Sequence, residues 1–351
     1  MNKNKKIIFT GGRTGGHITP IISLINYLWV DGKYEYMWLW ERESLEEKTA
    51  EENDIEFHDI STGKIRRYFD VRNFYEPLKN FTWVFESLYY ILKHKGDIIF
   101  SKGGFVSVPA CIAGFILRKD IYIHESDSVM GLANKITSKL ATKVFYSFKN
   151  ELTQVEGNKH IHCGPIVNPE MLDEVKSVDK TENERLSVLV IAGSQWSEKI
   201  FENLLQILPD CNDIDFNVIL WTNDNAELKE KLDDFDNVKT KGFISQKKLS
   251  KLYIKSDIAI TRGSSSLWEL FYFGIHSIIV PLKATGWNHQ YHNATYFNEQ
   301  YGSDILDEDD NLHLEMFRRL QKYKELRKTG LNLEWFLDGL KTINDEIEGQ
   351  Y

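Results

Sequence analysis

Apolar positions along this chain fall into two kinds of stretch. Residues 6–10, 36–39, 98–101, 121–124 and 143–146 are short, nearly continuous runs of β-branched, aromatic and leucine-like side chains. Such runs predict strands buried on both faces. A second series follows at 187–192, 217–221, 238–242, 258–261 and 277–281. Longer stretches with apolar residues at helical spacing, such as 19–30, 81–94 and 247–255, lie between the runs. Alternation of this kind predicts an α/β protein with doubly wound parallel sheets. The strand series restarts after Cys163-Gly164-Pro165, and a charged stretch at 168–185 opens the second half. The expected organisation is therefore two Rossmann-like domains, 1–163 and 164–351, facing each other across a cleft. Residues 312–341 read as helices, and a last helix packing back on the first domain fits that reading.

Composition narrows the picture. The chain has 351 residues, 42% hydrophobic and 27% charged, with a formal net charge of −9. These are values of an ordinary globular protein, and the acidic balance speaks against nucleic acid as a partner. Cys111, Cys163 and Cys211 are far apart and form no Cys-x-x-Cys pair, so neither a zinc motif nor a disulfide framework is indicated. The N-terminal lysines are followed by only Ile7-Ile8-Phe9, whereas a secretory signal needs about 7–15 apolar residues. The longest apolar stretch, 108–117, is short of the roughly 18 needed to span a bilayer. A cytoplasmic protein is expected. Segment 61–105 nevertheless carries eight Lys/Arg against four acids, interleaved with Tyr68, Phe69, Phe74, Tyr75, Phe81, Trp83 and Phe85. Basic–aromatic mixing over 64–95 suits peripheral binding to an anionic membrane surface. The same mixture also fits single-stranded nucleic acid or an ordinary core helix with a solvated face.

Candidate chemistry clusters just after strands, where open α/β sheets bind ligands. Thr10-Gly11-Gly12-Arg13-Thr14-Gly15-Gly16-His17 joins the first strand to a helix expected to start near Thr19-Pro20. Glycines let backbone approach a ligand closely, and a helix start offers unpaired N–H groups to anions. The pattern is neither a Walker A loop nor Gly-x-Gly-x-x-Gly, which argues against a dinucleotide-dependent dehydrogenase. His17 at the loop's end is a candidate general base. Ser101-Lys102-Gly103-Gly104-Phe105 and His124-Glu125-Ser126-Asp127 follow later strands, and Glu125 is a second candidate for acid–base work. In the second half, Gly193-Ser194-Gln195 can hold a diphosphate. The segment Arg262-Gly263-Ser264-Ser265-Ser266-Leu267-Trp268-Glu269 puts hydroxyls and a carboxylate at a helix start, where Glu269 can take ribose hydroxyls. Trp287 to Asn293 offers amides and imidazoles that can read a sugar.

At these motifs the chain resembles the MurG family of bacterial cell-wall glycosyltransferases. The resemblance runs from about Lys6 to Ile305. It rests on the glycine loop ending in His17, Gly103-Gly104-Phe105-Val106-Ser107-Val108-Pro109-Ala110, Ile123-His124-Glu125 and Gly131-Leu132-Ala133-Asn134-Lys135. Gly193-Ser194-Gln195, Arg262 to Glu269 and Gln290-Tyr291-His292-Asn293-Ala294 complete it. The resemblance implies a GT-B fold and an inverting, metal-independent, cofactor-free hexosyltransferase at the cytoplasmic face of the cell membrane. It implies UDP-N-acetylglucosamine as donor and an undecaprenyl-linked N-acetylmuramoyl-pentapeptide as acceptor, the lipid I to lipid II step of peptidoglycan synthesis. It further implies that Thr14, Gly15 and Gly16 lie near the donor sugar and diphosphate, with His17 at the reacting centre. Asp127 and Asn134 fall in substrate-binding blocks. Ser194 and Gln195 would meet the diphosphate, and the Ile244 backbone the uracil. Arg262, Ser264, Ser265, Ser266 and Leu267 would line the phosphate and ribose, with Glu269 on the ribose. His289, Gln290 and Asn293 would hold the N-acetylglucosamine. Arg13, Asp127, Val167, Trp196 and His289 depart from the family pattern and mark a divergent member. Rival readings are a transferase with another lipid acceptor, a UDP-N-acetylglucosamine 2-epimerase and a non-catalytic nucleotide-sugar sensor.

Overall fold

A computed structural model describes residues 5–12, 15–29, 32–60, 76–154, 159–175, 184–192, 198–220, 226–242, 244–282, 288–328 and 330–349. The chain divides into two compact units, 1–168 with 337–351, and 169–336.

Unit 1 is built on a seven-stranded sheet of β1 (Lys5–Thr10), β2 (Tyr34–Trp40), β3 (Glu56–Asp59), β4 (Ile98–Ser101), β5 (Asp120–Glu125), β6 (Lys143–Tyr146) and β7 (His160–His162). Its order is β3-β2-β1-β4-β5-β6-β7, and every pairing is parallel. The period-2 alternation of strands sorts their side chains to two faces. Ile7 and Phe9 of β1 pack with Ile21, Leu24 and Leu28 of α1 (Gly15–Trp29). Ile8 points the other way, into a core with Ile91 of α3 (Glu76–Lys93) and Ala110 and Ala113 of α4 (Ser107–Ile116). Two further helices, α2 (Leu45–Glu52) and α5 (Leu132–Thr137), complete this part.

Unit 2 repeats the design with six parallel strands in the order β10-β9-β8-β11-β12-β13. These are β8 (Leu186–Ile191), β9 (Ile214–Ile219), β10 (Val238–Lys241), β11 (Ile258–Thr261), β12 (His276–Ile279) and β13 (Asp304–Ile305). One face packs on α7 (Glu198–Ile207), α8 (Ala226–Asp233) and α12 (Leu312–Lys322) through residues such as Phe201, Leu232 and Met316. Two helices follow β10 and β11: α9 (Gln246–Lys255), which buries Leu249 and Tyr253, and α10 (Ser266–Tyr272), which buries Leu267 and Leu270. The short α6 (Met171–Val175) opens the unit, and α11 (His289–Tyr301) precedes β13.

The structure corrects two sequence expectations. First, the division falls after Asn168 rather than before Gly164. The last helix, α13 (Asp338–Glu348), belongs to unit 1, the packing back that the sequence reading allowed for. Leu340, Ile343 and Ile347 of α13 are buried in the unit 1 core, at about 1.5–3 kcal/mol for each such side chain. Lys5 donates to the Ile347 carbonyl at 3.0 Å, and Lys143 pairs with Glu346 at 3.0 Å. Gly339 is required here, because a Cβ would stand 2.2 Å from the Pro165 carbonyl oxygen. The second correction concerns α1, which starts at Gly15 and so carries Pro20 inside it instead of at its first turn. The residue four before Pro20, whose carbonyl crowds the proline ring in a helix, is Gly16.

Candidate active site

In unit 1 the ends of β1, β4 and β5 bring glycine loops and titratable groups together. After β1 the chain turns at Gly11 with φ +132°, a conformation side chains rarely adopt. A Cβ on Gly11 would lie 2.7 Å from the Lys102 Cβ and 2.9 Å from the Lys102 nitrogen. The two loops therefore touch through backbone, and the Lys102 N–H donates to the Thr10 carbonyl at 2.9 Å. After β4 the chain turns again at Gly103 and Gly104, with φ +95° and +86°. Ser101 Oγ accepts the Gly103 N–H at 3.1 Å, and Ser107 Oγ donates to the Gly104 carbonyl at 2.7 Å.

This backbone packing buries Lys102, which is only 2% exposed. Its ammonium donates to His124 Nδ1 at 2.7 Å and to the Ser126 hydroxyl. Because the lysine donates, His124 Nδ1 accepts, and Nε2 carries the hydrogen facing the Gly164 carbonyl at 3.4 Å. Burial, followed by the Lys102 charge, drives the His124 imidazole well below its usual range and keeps it neutral. Burial pulls Lys102 itself down to about 8, although Glu125, Asp127 and Cys163 favour its charged form. His17, half-buried at the start of α1, is brought down to about 4 by burial and then by Lys102, against the opposing pull of Asp127. The imidazole is thus unprotonated, and able to accept a proton, throughout the neutral range.

Glu125 is the most heavily bonded acid of the cluster. Its Oε1 accepts the Asp127 N–H at 3.0 Å, while Oε2 accepts the Gly131 N–H at 3.0 Å and Asn134 Nδ2 at 2.8 Å. Burial, then Asp127, raises its pKa despite these bonds. Glu125 thereby anchors the 126–131 loop, with three of its acceptor positions taken by protein donors. Asn134, expected on the substrate, is buried and faces Glu125 instead. Asp127 stays half-buried, close enough to His17 and Lys102 to favour their charged forms.

In unit 2 the site is polar but sparsely charged. Gly263 follows β11, and a Cβ there would strike the Gln290 carbonyl oxygen at 2.1 Å. This close approach sets α11 against the serine loop. Ser264 and Ser266 share a hydroxyl–hydroxyl bond of 2.8 Å, and Ser265 caps α10 without a side-chain cap bond. Glu269, one turn into α10, accepts the hydroxyl hydrogen of buried Tyr253 at 2.8 Å. Burial raises Glu269 to about 7 against the lowering effect of that bond. Ile244 lies half-buried on the β10–α9 loop, directly before the Ser245 cap of α9.

Several residues expected on the ligand also make hydrogen bonds within the fold. Arg262 is 3% exposed, donating to the Val280 carbonyl at 2.9 Å and to Glu308 at 2.7 Å. Leu267 is fully buried, and its N–H is used by the Ser264 carbonyl at 3.1 Å. Asn293 is 1% exposed and donates to the Gly263 carbonyl at 3.1 Å. Gln290 spends its amide oxygen on the Leu282 N–H at 3.1 Å. His289, half-buried, begins α11. Gly15 and Gly16 form the first turn of α1. Thr14, Ser194 and Gln195 lie outside the described residues, as do Arg13 and Trp196.

Two residues were not singled out from sequence. Lys102 carries the charge around which the unit 1 cluster is arranged, and its signal was a lysine closing an apolar strand just before two glycines. Tyr253 holds Glu269, and it sat unmarked within a helical pattern.

Comparison with known proteins gives a concordant result. The profile described as Glycosyltransferase family 28 N-terminal domain matches residues 7–146, and that described as Glycosyltransferase family 28 C-terminal domain matches residues 187–330. A curated relative from Clostridium kluyveri is 31% identical over 334 residues, covering 93% of this chain and 94% of its own. It is named UDP-N-acetylglucosamine--N-acetylmuramyl-(pentapeptide) pyrophosphoryl-undecaprenol N-acetylglucosamine transferase. The solved structure of Acinetobacter baumannii MurG superposes with a TM-score of 0.73 at 18% identity, covering 98% of this chain and 99% of that one. UDP-GlcNAc 2-epimerase from Neisseria meningitidis bound to UDP-GlcNAc gives 0.69 at 13%, covering 98% and 100%. At such identities the structural likenesses establish the fold alone, with two parallel-sheet α/β domains of GT-B type.

Proposed function

From the premise that the chain belongs to glycosyltransferase family 28, we propose that it moves N-acetylglucosamine from UDP-N-acetylglucosamine to a polyprenyl-diphosphate-linked N-acetylmuramoyl-pentapeptide. The observation that carries this reading is the full-length similarity to the Clostridium kluyveri enzyme named for that reaction. The acceptor 4-hydroxyl attacks the anomeric carbon from the β face. Its proton passes to the unprotonated His17 imidazole as the new C–O bond forms. The bond from the anomeric carbon to the phosphate oxygen breaks, and UDP leaves with inversion of the α linkage. At a pKa of about 4 His17 is always available but weakly basic. An anionic substrate group beside the ring would raise its basicity when it is needed.

Unit 2 is the donor side of this proposal. Glu269, fixed by Tyr253, takes the ribose hydroxyls, the Ile244 backbone meets the uracil, and Ser264, Ser265 and Ser266 face the diphosphate. Ser194 and Gln195 would complete the diphosphate contacts, and His289 with the remaining amide of Gln290 would read the sugar. Backbone and hydroxyl donors aimed at the departing oxygens supply the stabilisation the leaving group requires, without a cofactor. The direct test is transfer of label from UDP-N-acetylglucosamine into the lipid acceptor. Acceptor-independent formation of UDP-N-acetylmannosamine would instead favour the epimerase reading, and label moving only to a diacylglycerol would favour a different acceptor.

The acceptor is a membrane lipid, and α3 supplies a surface that suits one. Phe85, Tyr89 and Leu92 are 66%, 56% and 60% exposed and recur along one side of the helix. Lys93 lies over the Tyr89 ring at 5.6 Å. Trp83, expected with the membrane aromatics, is instead a buried core residue. Residues 61–75 of the basic–aromatic segment lie outside the described residues. We place this helix face on an anionic bilayer, which fits a peripheral enzyme. Among the described residues no helix is long and apolar enough to cross a membrane.

A further inference from the structure

We propose that Glu56, His58 and His94 form a transition-metal site on the edge of unit 1, away from the proposed transferase chemistry. Glu56 and His58 are alternate residues of β3, so both side chains leave the same face of the strand. His94 directly follows the last residue of α3, where its N–H still donates to the Tyr90 carbonyl at 3.0 Å. One oxygen of Glu56 lies 3.2 Å from His58 Nε2 and 3.0 Å from His94 Nδ1. A donor atom from each of the three residues lies within 4.8 Å of the others.

These separations match metal geometry. An ion bound at about 2.0–2.1 Å in a tetrahedral site has ligands about 3.3–3.4 Å apart. The two glutamate–histidine spacings need to open by only a few tenths of an ångström to admit it. Two imidazoles and one carboxylate are the donor set of zinc, cobalt, nickel or copper, not of magnesium or calcium. The remaining coordination position is left to water, since Glu56, His58 and His94 side chains keep 41%, 21% and 13% exposure.

The surroundings hold the donors in place. Tyr90 stacks on the His58 ring with centroids 4.5 Å apart and planes 21° apart. Lys6 reaches the second Glu56 oxygen at 3.8 Å, leaving the first to act as a single ligand oriented by an outer partner. The C-terminal end of α3 carries partial negative charge that favours a cation. Lys6 and Lys93 oppose it, which sets a moderate affinity. The sequence reading found no metal motif because β3 and α3 are brought together only by the fold. An ion here would clamp the four-residue edge strand β3 to the end of α3.

The test uses full-length protein without a histidine tag, stripped with chelator and titrated with Zn²⁺ by calorimetry. One equivalent of Zn²⁺ should bind and raise the thermal unfolding midpoint, with Mg²⁺ neither competing nor stabilising. His58→Ala and His94→Ala should each lose at least 10-fold in Zn²⁺ affinity, with circular dichroism confirming their fold. Glu56→Gln, which keeps shape, should weaken binding while remaining folded. Absence of Zn²⁺ binding, or equal affinity and stabilisation in wild type and all three variants, would overturn the proposal.

Discussion

Units 1 and 2 share a parallel-sheet frame yet differ in what stands at the strand ends. Unit 1 gathers Lys102, His124, Glu125, Asp127 and His17 into one network, with a buried ammonium at its centre. Unit 2 presents, among the described residues, serine hydroxyls, amides and the Glu269 carboxylate held by a tyrosine. The first arrangement tunes protonation, because each buried charge shifts the groups beside it. The second suits the proposed donor recognition, because hydrogen-bonding groups are presented with few charges to repel an anion. One frame thus serves two tasks through what its loops carry.

The largest expected effect lies in unit 1. His17→Ala should lower kcat about 10²–10⁴-fold, the range for losing a general base. Initial rates with saturating donor and acceptor measure it. Next comes the unit 2 carboxylate. Glu269→Gln should weaken UDP binding about 10–100-fold, in line with about 1.5–3 kcal/mol for hydrogen bonds to a charged group. Because burial raises Glu269 to about 7 and its ionised form is the stronger acceptor for the proposed ribose hydroxyls, wild-type UDP affinity should rise as pH passes upward through about 7. The variant should lose that dependence.

A third prediction separates tuning from structure. Burial is the larger cause of the His17 depression and Lys102 the second, so Lys102→Met should raise the His17 pKa above about 4 while burial still holds it below 6.5. The acidic limb of the kcat/KM profile should move to higher pH. The sign carries over to stability. A depressed histidine binds fewer protons folded than unfolded between about 4 and 6.5, so its contribution falls as pH drops through that window and is restored above it. The smallest effect is expected for Asn134→Ala, which removes one donor to Glu125. It should cost about 1–3 kcal/mol in urea unfolding and leave UDP affinity unchanged.

Much of the frame was legible because its central strands are continuous apolar runs. The missed strands are edges: Glu56–Asp59, His160–His162 and Asp304–Ile305 are short, polar and only partly buried. No hydrophobic pattern marks a strand that covers so little core. α13 shows the opposite case, since its apolar stripe was readable but the unit it would bury against was not. At the site, glycine loops announced themselves by composition, and His17 and Glu269 by their place after strands. What a residue's neighbours do with it was hidden. Arg262, Asn134 and Asn293 look like ligand residues in sequence, yet spend their hydrogen bonds on Glu308, Glu125 and Gly263. Lys102 reads as an ordinary surface lysine until the Gly11 turn is seen pressed against it.

Calorimetric titration of UDP into wild type, His17→Ala and Glu269→Gln tests the division of labour most directly. The account predicts unchanged UDP affinity, within about 2-fold, for the inactive His17→Ala protein and a loss of at least 10-fold for Glu269→Gln. Equal losses in both variants, or full UDP affinity in Glu269→Gln, would contradict it.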